Sequence, residues 1–242
     1  MDRKAYMRDV YSKYWLTARE KIYGFSDYDK TLCSYVCEHI LKGRKLLEVA
    51  IGTGYPFADF FQKAGYSVYG IDISPDLIEK CKQLNPNINS KVGDAENIDY
   101  PSNYFDCVYC FHSTWCFPNL NKSIDEMLRV TCPGGIVMFD IQNRNNREID
   151  MEYRKRLSYH LGGGIIGYAK HMLKSILHVG VPIHEVPSYP ENIYKHLKKR
   201  GIQNFLVMVK NDDNSIETRN IPGSFAEFGR LIFVITKDNP VA

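Results

Sequence analysis

The chain has 242 residues, 44% of them hydrophobic, which is enough for one domain with a substantial core, and it has no apolar run of the roughly 18 residues that a membrane span needs. Its 31 basic and 28 acidic residues give a net charge of +3 without a polybasic block, so charge favours neither nucleic acid nor an anionic membrane as a partner. Seven cysteines without a repeating framework, and a charged first fifteen residues, predict reduced thiols and a cytoplasmic protein without a signal peptide.

The chain begins with two predicted helices. Residues 4–22 form a short helical leader rich in aromatics, including Tyr11 and Tyr14. Residues 29–42 form a stronger amphipathic helix that Gly43 ends. We expect residues from about 1 to 42 to act as a helical lid on a single domain that spans 1–242.

The stretch from Leu46 to Asp72 predicts a strand, a glycine turn, a helix and a second strand. Its apolar start suits a strand that is covered on both faces. Gly52 and Gly54 flank the turn, where a ligand could approach the backbone. The helix that follows places apolar residues on one face, namely Phe57, Phe60, Phe61 and Ala64. This is a βαβ unit of the kind that binds nucleosides, and Asp72 lies at the carboxyl end of its second strand.

A missing glycine indicates which class of cofactor the unit does not favour. In the dinucleotide fingerprint G-x-G-x-x-G, the third glycine lets the helix pack closely on its strand. Counted from Gly52, that position holds Phe57, so the sequence disfavours a nicotinamide dinucleotide.

Strands and helices continue to alternate as far as residue 141. Ser74 and Pro75 predict the start of a helix, and Lys91-Val92 predicts a very short strand. A buried strand spans 105–111, a helix surrounds Met127, and a Pro133-Gly134-Gly135 turn precedes a strand over 136–141. Cys107 and Cys110 are three apart on a strand and point to opposite faces, so we expect no metal site there. The alternation predicts an α/β fold with a doubly wound parallel sheet.

The remaining third of the chain breaks this pattern. Residues 142–188 are predicted to be irregular, with a hinge at Gly162-Gly163-Gly164, and to form an inserted lid over a substrate site. A helix then begins at Pro190. Strands over 205–209 and 231–235, joined by a polar loop over 211–220, predict an antiparallel pair at the end of the sheet.

Four landmarks together resemble class I S-adenosylmethionine-dependent methyltransferases. They are the turn Glu48-x-Ala50-x-Gly52-Thr53-Gly54, then Asp72, then Gly93-Asp94-Ala95-Glu96, and finally Phe105-Asp106 with Pro133-Gly134-Gly135. Ala50 replaces the family's first glycine and is expected to need a negative φ. The resemblance implies a three-layer Rossmann-like fold, mostly parallel with an antiparallel C-terminal strand, and S-adenosyl-L-methionine as the cofactor, with S-adenosyl-L-homocysteine as its product.

The resemblance also implies cofactor roles for particular residues. Asp72 would hold the ribose hydroxyls, and Asp94 the adenine amino group. The other expected cofactor residues border the methionine moiety, the adenine or the methyl group: Glu48, Ala50, Gly52, Gly54, Ile73, Ala95 and Phe111. Tyr11 and Tyr14 could close over the cofactor from the leader, although plain helix packing is the simpler interpretation.

His112 follows the fourth strand and is the first candidate for a catalytic base, because ligands gather at the carboxyl ends of parallel strands. The alternative is a histidine that shapes the pocket and moves no proton. Trp115, Phe117 and Asp140 are candidate substrate residues. A pocket lined by Trp115 and Phe117 favours a small-molecule acceptor for O-, N- or C-methylation. An RNA or protein methyltransferase, or a non-catalytic cofactor-binding module, remains an alternative. A monomer and a homodimer are both compatible with the sequence.

Overall fold

The computed structural model describes residues 2–13, 15–16, 24–41, 44–161, 185–211, 216–219 and 225–238. The strands within this part of the chain are β1 (Lys45–Val49), β2 (Ser67–Asp72), β3 (Asn89–Val92), β4 (Phe105–Cys110), β5 (Thr131–Gln142), β6 (Phe205–Lys210), β7 (Ile216–Arg219) and β8 (Arg230–Thr236). The helices are α1 (Arg3–Tyr6), α2 (Asp27–His39), α3 (Phe57–Lys63), α4 (Pro75–Leu84), α5 (Leu120–Val130), α6 (Arg147–Leu161) and α7 (Pro190–Lys199). A π-helical segment, Met7–Tyr11, continues α1, and a short 3₁₀ turn covers Thr114–Cys116.

The described strands form one eight-stranded sheet in the order β3-β2-β1-β4-β5-β8-β6-β7. The first five of these are parallel to one another, β8 runs antiparallel to β5, and β6 and β7 continue the antiparallel part. The predicted α/β fold, mostly parallel with an antiparallel C-terminal end, is confirmed. The strand order reverses beside β1, between β1 and β4, which is where open α/β sheets bind ligands.

Two apolar clusters cover the two faces of the sheet. One face packs against α2 and α3, through residues such as Leu32 and Phe61. The other packs against α5 and α7, through residues such as Met127 and Leu197. Helices on both faces give the three layers, and the buried middle strands need no alternation of polar and apolar residues.

Local sequence explains where two of the helices begin. Helix α4 starts as predicted, with Pro75 in its first position and the Ser74 hydroxyl accepting the Leu77 N–H at 3.3 Å. Helix α2 starts two residues earlier than predicted, because Ser26 and Asp29 form a capping box. Asp29 Oδ2 accepts the Ser26 N–H at 3.0 Å, and Ser26 Oγ accepts the Asp29 N–H at 3.2 Å.

Three predicted segments differ in the structure. Residues 147–161 of the segment expected to be irregular form α6, which begins where Asn146 Oδ1 accepts the N–H groups of Glu148 and Ile149, each at 3.2 Å. The loop expected over 211–220 contains the edge strand β7. The turn expected at Pro133-Gly134-Gly135 lies within β5, at an irregularity in its pairing with β4. The hinge expected at Gly162-Gly163-Gly164 lies outside the described residues.

The cysteine pair of the fourth strand is part of the core. Cys107 and Cys110 are both fully buried, and burial raises the pKa of each thiol. Among the residues that the structure describes, no three His, Cys, Asp or Glu side chains come together as metal ligands. None of the described helices combines the length and apolarity that a membrane crossing requires.

Candidate functional site

A cavity opens at the carboxyl ends of β1, β2, β3 and β4, around the point where the strand order reverses. It encloses about 930 Å³ of empty space, including the solvent at its mouth. The lining residues come from the leader and from the loops after these strands: Lys4, Met7, Ser12, Trp15, Ala50, Gly52, Thr53, Ile71, Asp72, Ile73, Leu77, Gly93, Asp94, Ala95, Glu96, His112, Ser113, Cys116, Phe117 and Pro118. Such a mostly apolar cavity with a few convergent polar groups is typical of a small-molecule site.

The turn after β1 has a left-handed backbone at two lining positions. Ala50 has φ +62° and Gly52 has φ +57°. The expectation that Ala50 keeps a negative φ is therefore wrong. The chain reverses sharply here, since Ile51 donates to the Ile71 carbonyl at 3.0 Å and Gly54 donates back to the Ile51 carbonyl at 3.0 Å. Alanine has the smallest side chain that can adopt this conformation, at a cost that glycine avoids.

Asp72 lies at the edge of the cavity and joins the turn to the second strand. Its Oδ2 accepts the Gly52 N–H at 3.0 Å, and its Oδ1 accepts the Ser74 N–H at 2.9 Å. Only 8% of the residue is exposed. A carboxylate can accept about four hydrogen bonds, and these two backbone contacts fix its orientation at the edge of the cavity.

Asp94 lies at the other side of the cavity, where it meets the leader. Its Oδ2 forms an ion pair with Lys4 Nζ at 2.6 Å, and the same amine lies 2.9 Å from Glu96 Oε2. Asp94 Oδ1 accepts the Glu96 N–H at 2.9 Å. Arg3 donates to the Phe117 carbonyl at 3.0 Å. These contacts hold α1 over the cavity and make it one of the walls.

His112 lies just after β4, with a left-handed backbone at φ +58°. Its N–H donates to Asp140 Oδ1 at 2.7 Å, which stabilises this conformation. Its ring Nε2 lies 2.7 Å from Asp29 Oδ1, and its Nδ1 contacts the Arg230 guanidinium and lies 3.3 Å from Asp140 Oδ2. Arg230 also donates to Asp140 Oδ2 at 2.8 Å. Both ring nitrogens thus contact charged side chains, of which Asp29 and Asp140 are buried and Arg230 is half-buried.

The charges around His112 set the pKa values of this network. Burial alone would lower the pKa of His112, but the charge of Asp140 and hydrogen bonds to Asp140 and Asp29 outweigh it, so the pKa is raised. For Asp29, burial acts to raise the pKa, but the hydrogen bonds from His112 and Ser26 outweigh it and lower the value. For Asp140, the charge of Arg230 and then that of His112 overcome burial and lower the pKa. In this network, the negative charges of Asp29 and Asp140 offset the positive charges of His112 and Arg230.

Several predicted site residues line the cavity as expected: Ala50, Gly52, Asp72, Ile73, Asp94, Ala95, His112 and Phe117. Glu48 does not, because its carboxylate is buried in β1, where it accepts the Tyr109 hydroxyl at 3.2 Å. Gly54 turns away from the cavity, with Asn85 and Cys81 beside it. Phe111 is buried in the core, 4.9 Å from the Phe57 ring centroid.

The predicted substrate residues divide in the same way. Asp140 is fully buried and serves His112 and Arg230, so it does not line the cavity. Trp115 is 9% exposed and also lies outside the lining, with its ring 5.0 Å from the Arg230 guanidinium. Tyr14 and the side chain of Tyr11 lie outside what the structure describes.

Several residues near the site were not predicted. Among them, Cys116 follows β4 and lines the cavity. Lys4, Asp29 and Arg230 reach the cavity or its His112 wall from distant parts of the chain. Asp29 is 83 residues from His112, and Arg230 is 118 residues from it. The capping pattern Ser26-x-x-Asp29 was a readable signal for the helix start, but no local pattern indicates its contact with His112.

Comparison with known proteins gives a family match over the core of the sheet. A family model described as a methyltransferase domain matches residues 47–139. A malonyl-[acyl-carrier protein] O-methyltransferase of Serratia marcescens is 32% identical over 100 residues, 40% of this chain and 38% of that protein. A demethylmenaquinone methyltransferase of Paenarthrobacter aurescens (strain TC1) is 36% identical over 96 residues, 38% of this chain and 36% of that protein. The chain therefore spans less than two fifths of the length of these curated relatives.

Solved structures extend the likeness to nearly the whole chain. An S-adenosylmethionine-dependent methyltransferase of Thermotoga maritima superposes with a TM-score of 0.59 at 15% identity, covering 94% of each chain. A chain solved in complex with the Trm112 methyltransferase activator of Haloferax volcanii gives a TM-score of 0.61 at 15% identity, covering 96% of this chain and 99% of that one. At this identity the superpositions show the fold alone.

Proposed function

We propose that this chain, whose residues 47–139 match a methyltransferase-domain family model, is a class I S-adenosylmethionine-dependent methyltransferase. It transfers a methyl group from S-adenosylmethionine to a small-molecule acceptor. The observation that carries the proposal is Asp72, a buried carboxylate held by the Gly52 and Ser74 amides at the edge of the cavity. A carboxylate so fixed is suited to two neighbouring ribose hydroxyls.

Different residues of the cavity suit different parts of this cofactor. Ile73 and Leu77 offer apolar surface for an adenine ring, beside Asp94 and the Ala95 backbone. Gly52 brings bare backbone to the cavity, where the methionine moiety would lie. Lys4 already engages Asp94 Oδ2, so an adenine amino group must share that oxygen with it or displace it.

When bound, the cofactor would supply an activated methyl group. The bond from this methyl group to sulfur breaks and its electron pair stays on sulfur, and the acceptor atom supplies the pair for the new bond. The protein then has to align the two reactants and exclude water. Met7, Trp15 and Phe117 wall the cavity with apolar surface, and the leader covers its mouth. His112 contributes as a fixed part of the wall, because neither ring nitrogen is free to take a proton from an acceptor.

We propose a neutral or ring-shaped acceptor, since the lining near His112 is largely apolar. Two relatives are named as methyltransferases of demethylmenaquinone and of malonyl-[acyl-carrier protein]. These names support an acceptor that is neither RNA nor a protein side chain. The leader would border the acceptor. Of the segment over about 142–188 that the sequence predicts to be a lid, residues 162–184 lie outside the described part of the chain. Its described residues 185–188 approach the site, since Val186 donates to the Trp115 carbonyl at 2.8 Å.

Calorimetric titration with S-adenosylhomocysteine tests the cofactor, with NAD as the matched control. Binding of NAD without S-adenosylhomocysteine would refute the proposal. Transfer of a labelled methyl group is then measured across panels of small aromatic, quinone-like and amine acceptors, of RNA, and of protein. Turnover confined to RNA or protein would refute the small-molecule acceptor, and binding without turnover on any panel would favour a non-catalytic cofactor-binding module.

A further inference from the structure

We infer that Asp29 is a positioning residue of this site, which acts by holding the His112 ring in the cavity wall. Asp29 is 5% exposed and lies on α2, outside the residues that line the cavity. Its contact with His112 Nε2, at 2.7 Å, joins that helix to the wall through a hydrogen bond. The inference rests on the proposed function only in treating the cavity as the cofactor site.

The two oxygens of Asp29 have separate partners. Oδ2 accepts from the Ser26 N–H at 3.0 Å and from the Ser26 hydroxyl at 2.7 Å, and so begins α2. Oδ1 contacts His112. The carboxylate therefore cannot turn to favour one partner without losing the other, and the helix start and the histidine share one rigid group.

The surroundings of His112 leave its ring a single orientation. The Tyr28 and Phe57 rings lie 5.8 and 5.6 Å from it, on α2 and α3. Asp140 on β5 and Arg230 on β8 engage Nδ1, and Asp29 engages Nε2. Without Asp29, the ring would keep its contacts on the β5 and β8 side and lose the contact that fixes its other edge.

Three variants separate positioning from helix capping. Asp29→Ala removes both functions, Asp29→Asn keeps an oxygen that can accept from Nε2 but removes the charge, and Ser26→Ala removes the capping hydroxyl while leaving Oδ1 on His112. Thermal unfolding of each variant measures the loss of helix stability that they share. The affinity of Ser26→Ala then shows how much of any change in binding comes from capping alone.

The first readout is the NMR titration of the His112 ring, assigned by comparison with His112→Ala. The pKa of His112 is expected to fall in Asp29→Asn, because one of its two carboxylate neighbours becomes neutral. It should stay at the wild-type value in Ser26→Ala. An unchanged pKa in Asp29→Asn, or an equal fall in Ser26→Ala, would overturn the inference.

The second readout is the affinity for S-adenosylhomocysteine in a double-mutant cycle. Asp29→Ala should weaken binding about tenfold in the wild-type background, as expected when a wall residue is misplaced, and by less than about twofold when His112 is already alanine. An equal loss in both backgrounds would mean that Asp29 does not act through His112. If the wild-type protein binds no S-adenosylhomocysteine, the proposed function fails, and the ring titration alone decides the inference.

Discussion

Replacing Asp72 with alanine tests the cofactor site most directly, because one carboxylate serves both the fold and the proposed ligand. In the folded protein it accepts the Gly52 and Ser74 N–H groups at 3.0 and 2.9 Å. Alanine leaves both donors unpaired at a site where Asp72 is 8% exposed. Each unpaired buried donor costs about 1–3 kcal/mol, and water at the cavity edge favours the low end, so we expect a loss of about 2 kcal/mol in the free energy of unfolding.

The effect on cofactor affinity should be larger. Two hydrogen bonds from ribose hydroxyls to a charged acceptor contribute about 1.5 kcal/mol each at the low end, about 3 kcal/mol together. Since 1.4 kcal/mol corresponds to a factor of ten, Asp72→Ala should weaken S-adenosylhomocysteine about 100-fold. Calorimetry measures the affinity, and urea denaturation measures the stability.

A matched control separates the two effects. Asp106 lies at the amino end of β4, far from the cavity lining, and its Oδ2 accepts the Lys45 N–H at 2.9 Å. Asp106→Ala should lower stability by about 1 kcal/mol and leave affinity unchanged. If folded Asp72→Ala binds S-adenosylhomocysteine within about threefold of wild type, the assignment of the ribose to Asp72 is refuted.

Three further changes test other parts of the site. Gly52→Val should abolish cofactor binding, because a β-branched residue is strained at φ +57° and would fill the cavity. Equilibrium dialysis measures this binding. Normal binding would contradict the placement of the cofactor beside this turn. Lys4→Ala should speed amide hydrogen exchange over residues 3–13. It should change the free energy of unfolding by less than about 1 kcal/mol, since the ion pairs of Lys4 are partly exposed. Unchanged exchange would show that these pairs do not hold the leader. The raised pKa of His112 stabilises the fold fully below about pH 6.5, and this contribution should be lost as the pH rises through the folded-state value. Urea denaturation at a series of pH values measures that slope, and a slope that persists in His112→Asn would assign it to another group.

The sequence predicted the sheet well where local pattern and final structure agree. Buried strands such as β1 and β4 are short apolar runs between turn signals, and the helix at Ser74-Pro75 carries its own start signal. Strand β7 was missed because three of the four residues of Ile216–Arg219 are polar and the strand lies at the edge of the sheet, where only one side needs pairing. Helix α6 was missed because charged residues obscure its apolar periodicity, although Asn146 and the acidic first turn were usable signals.

The site was predictable only where its residues follow strands or glycine turns. Gly52 and Asp72 were placed at the cavity in this way, because the carboxyl ends of parallel strands meet at one edge. Asp94 was placed there through the family resemblance. Glu48 was misplaced because its position on β1 points it into the core, toward Tyr109. Asp29, Lys4 and Arg230 depend on contacts between residues far apart in the chain, and no local pattern encodes those contacts.

The position of β8 between β5 and β6 sets an order of events during folding. The last strand described along the chain fills an interior place in the sheet, so β5 and β6 have no pairing with each other until it inserts. Its first residue, Arg230, also completes the group around His112. During synthesis, the parallel half of the sheet can form on the ribosome while the His112 wall stays incomplete. Closing the sheet and completing that wall are then a single late event, which protease protection of arrested nascent chains of increasing length would time.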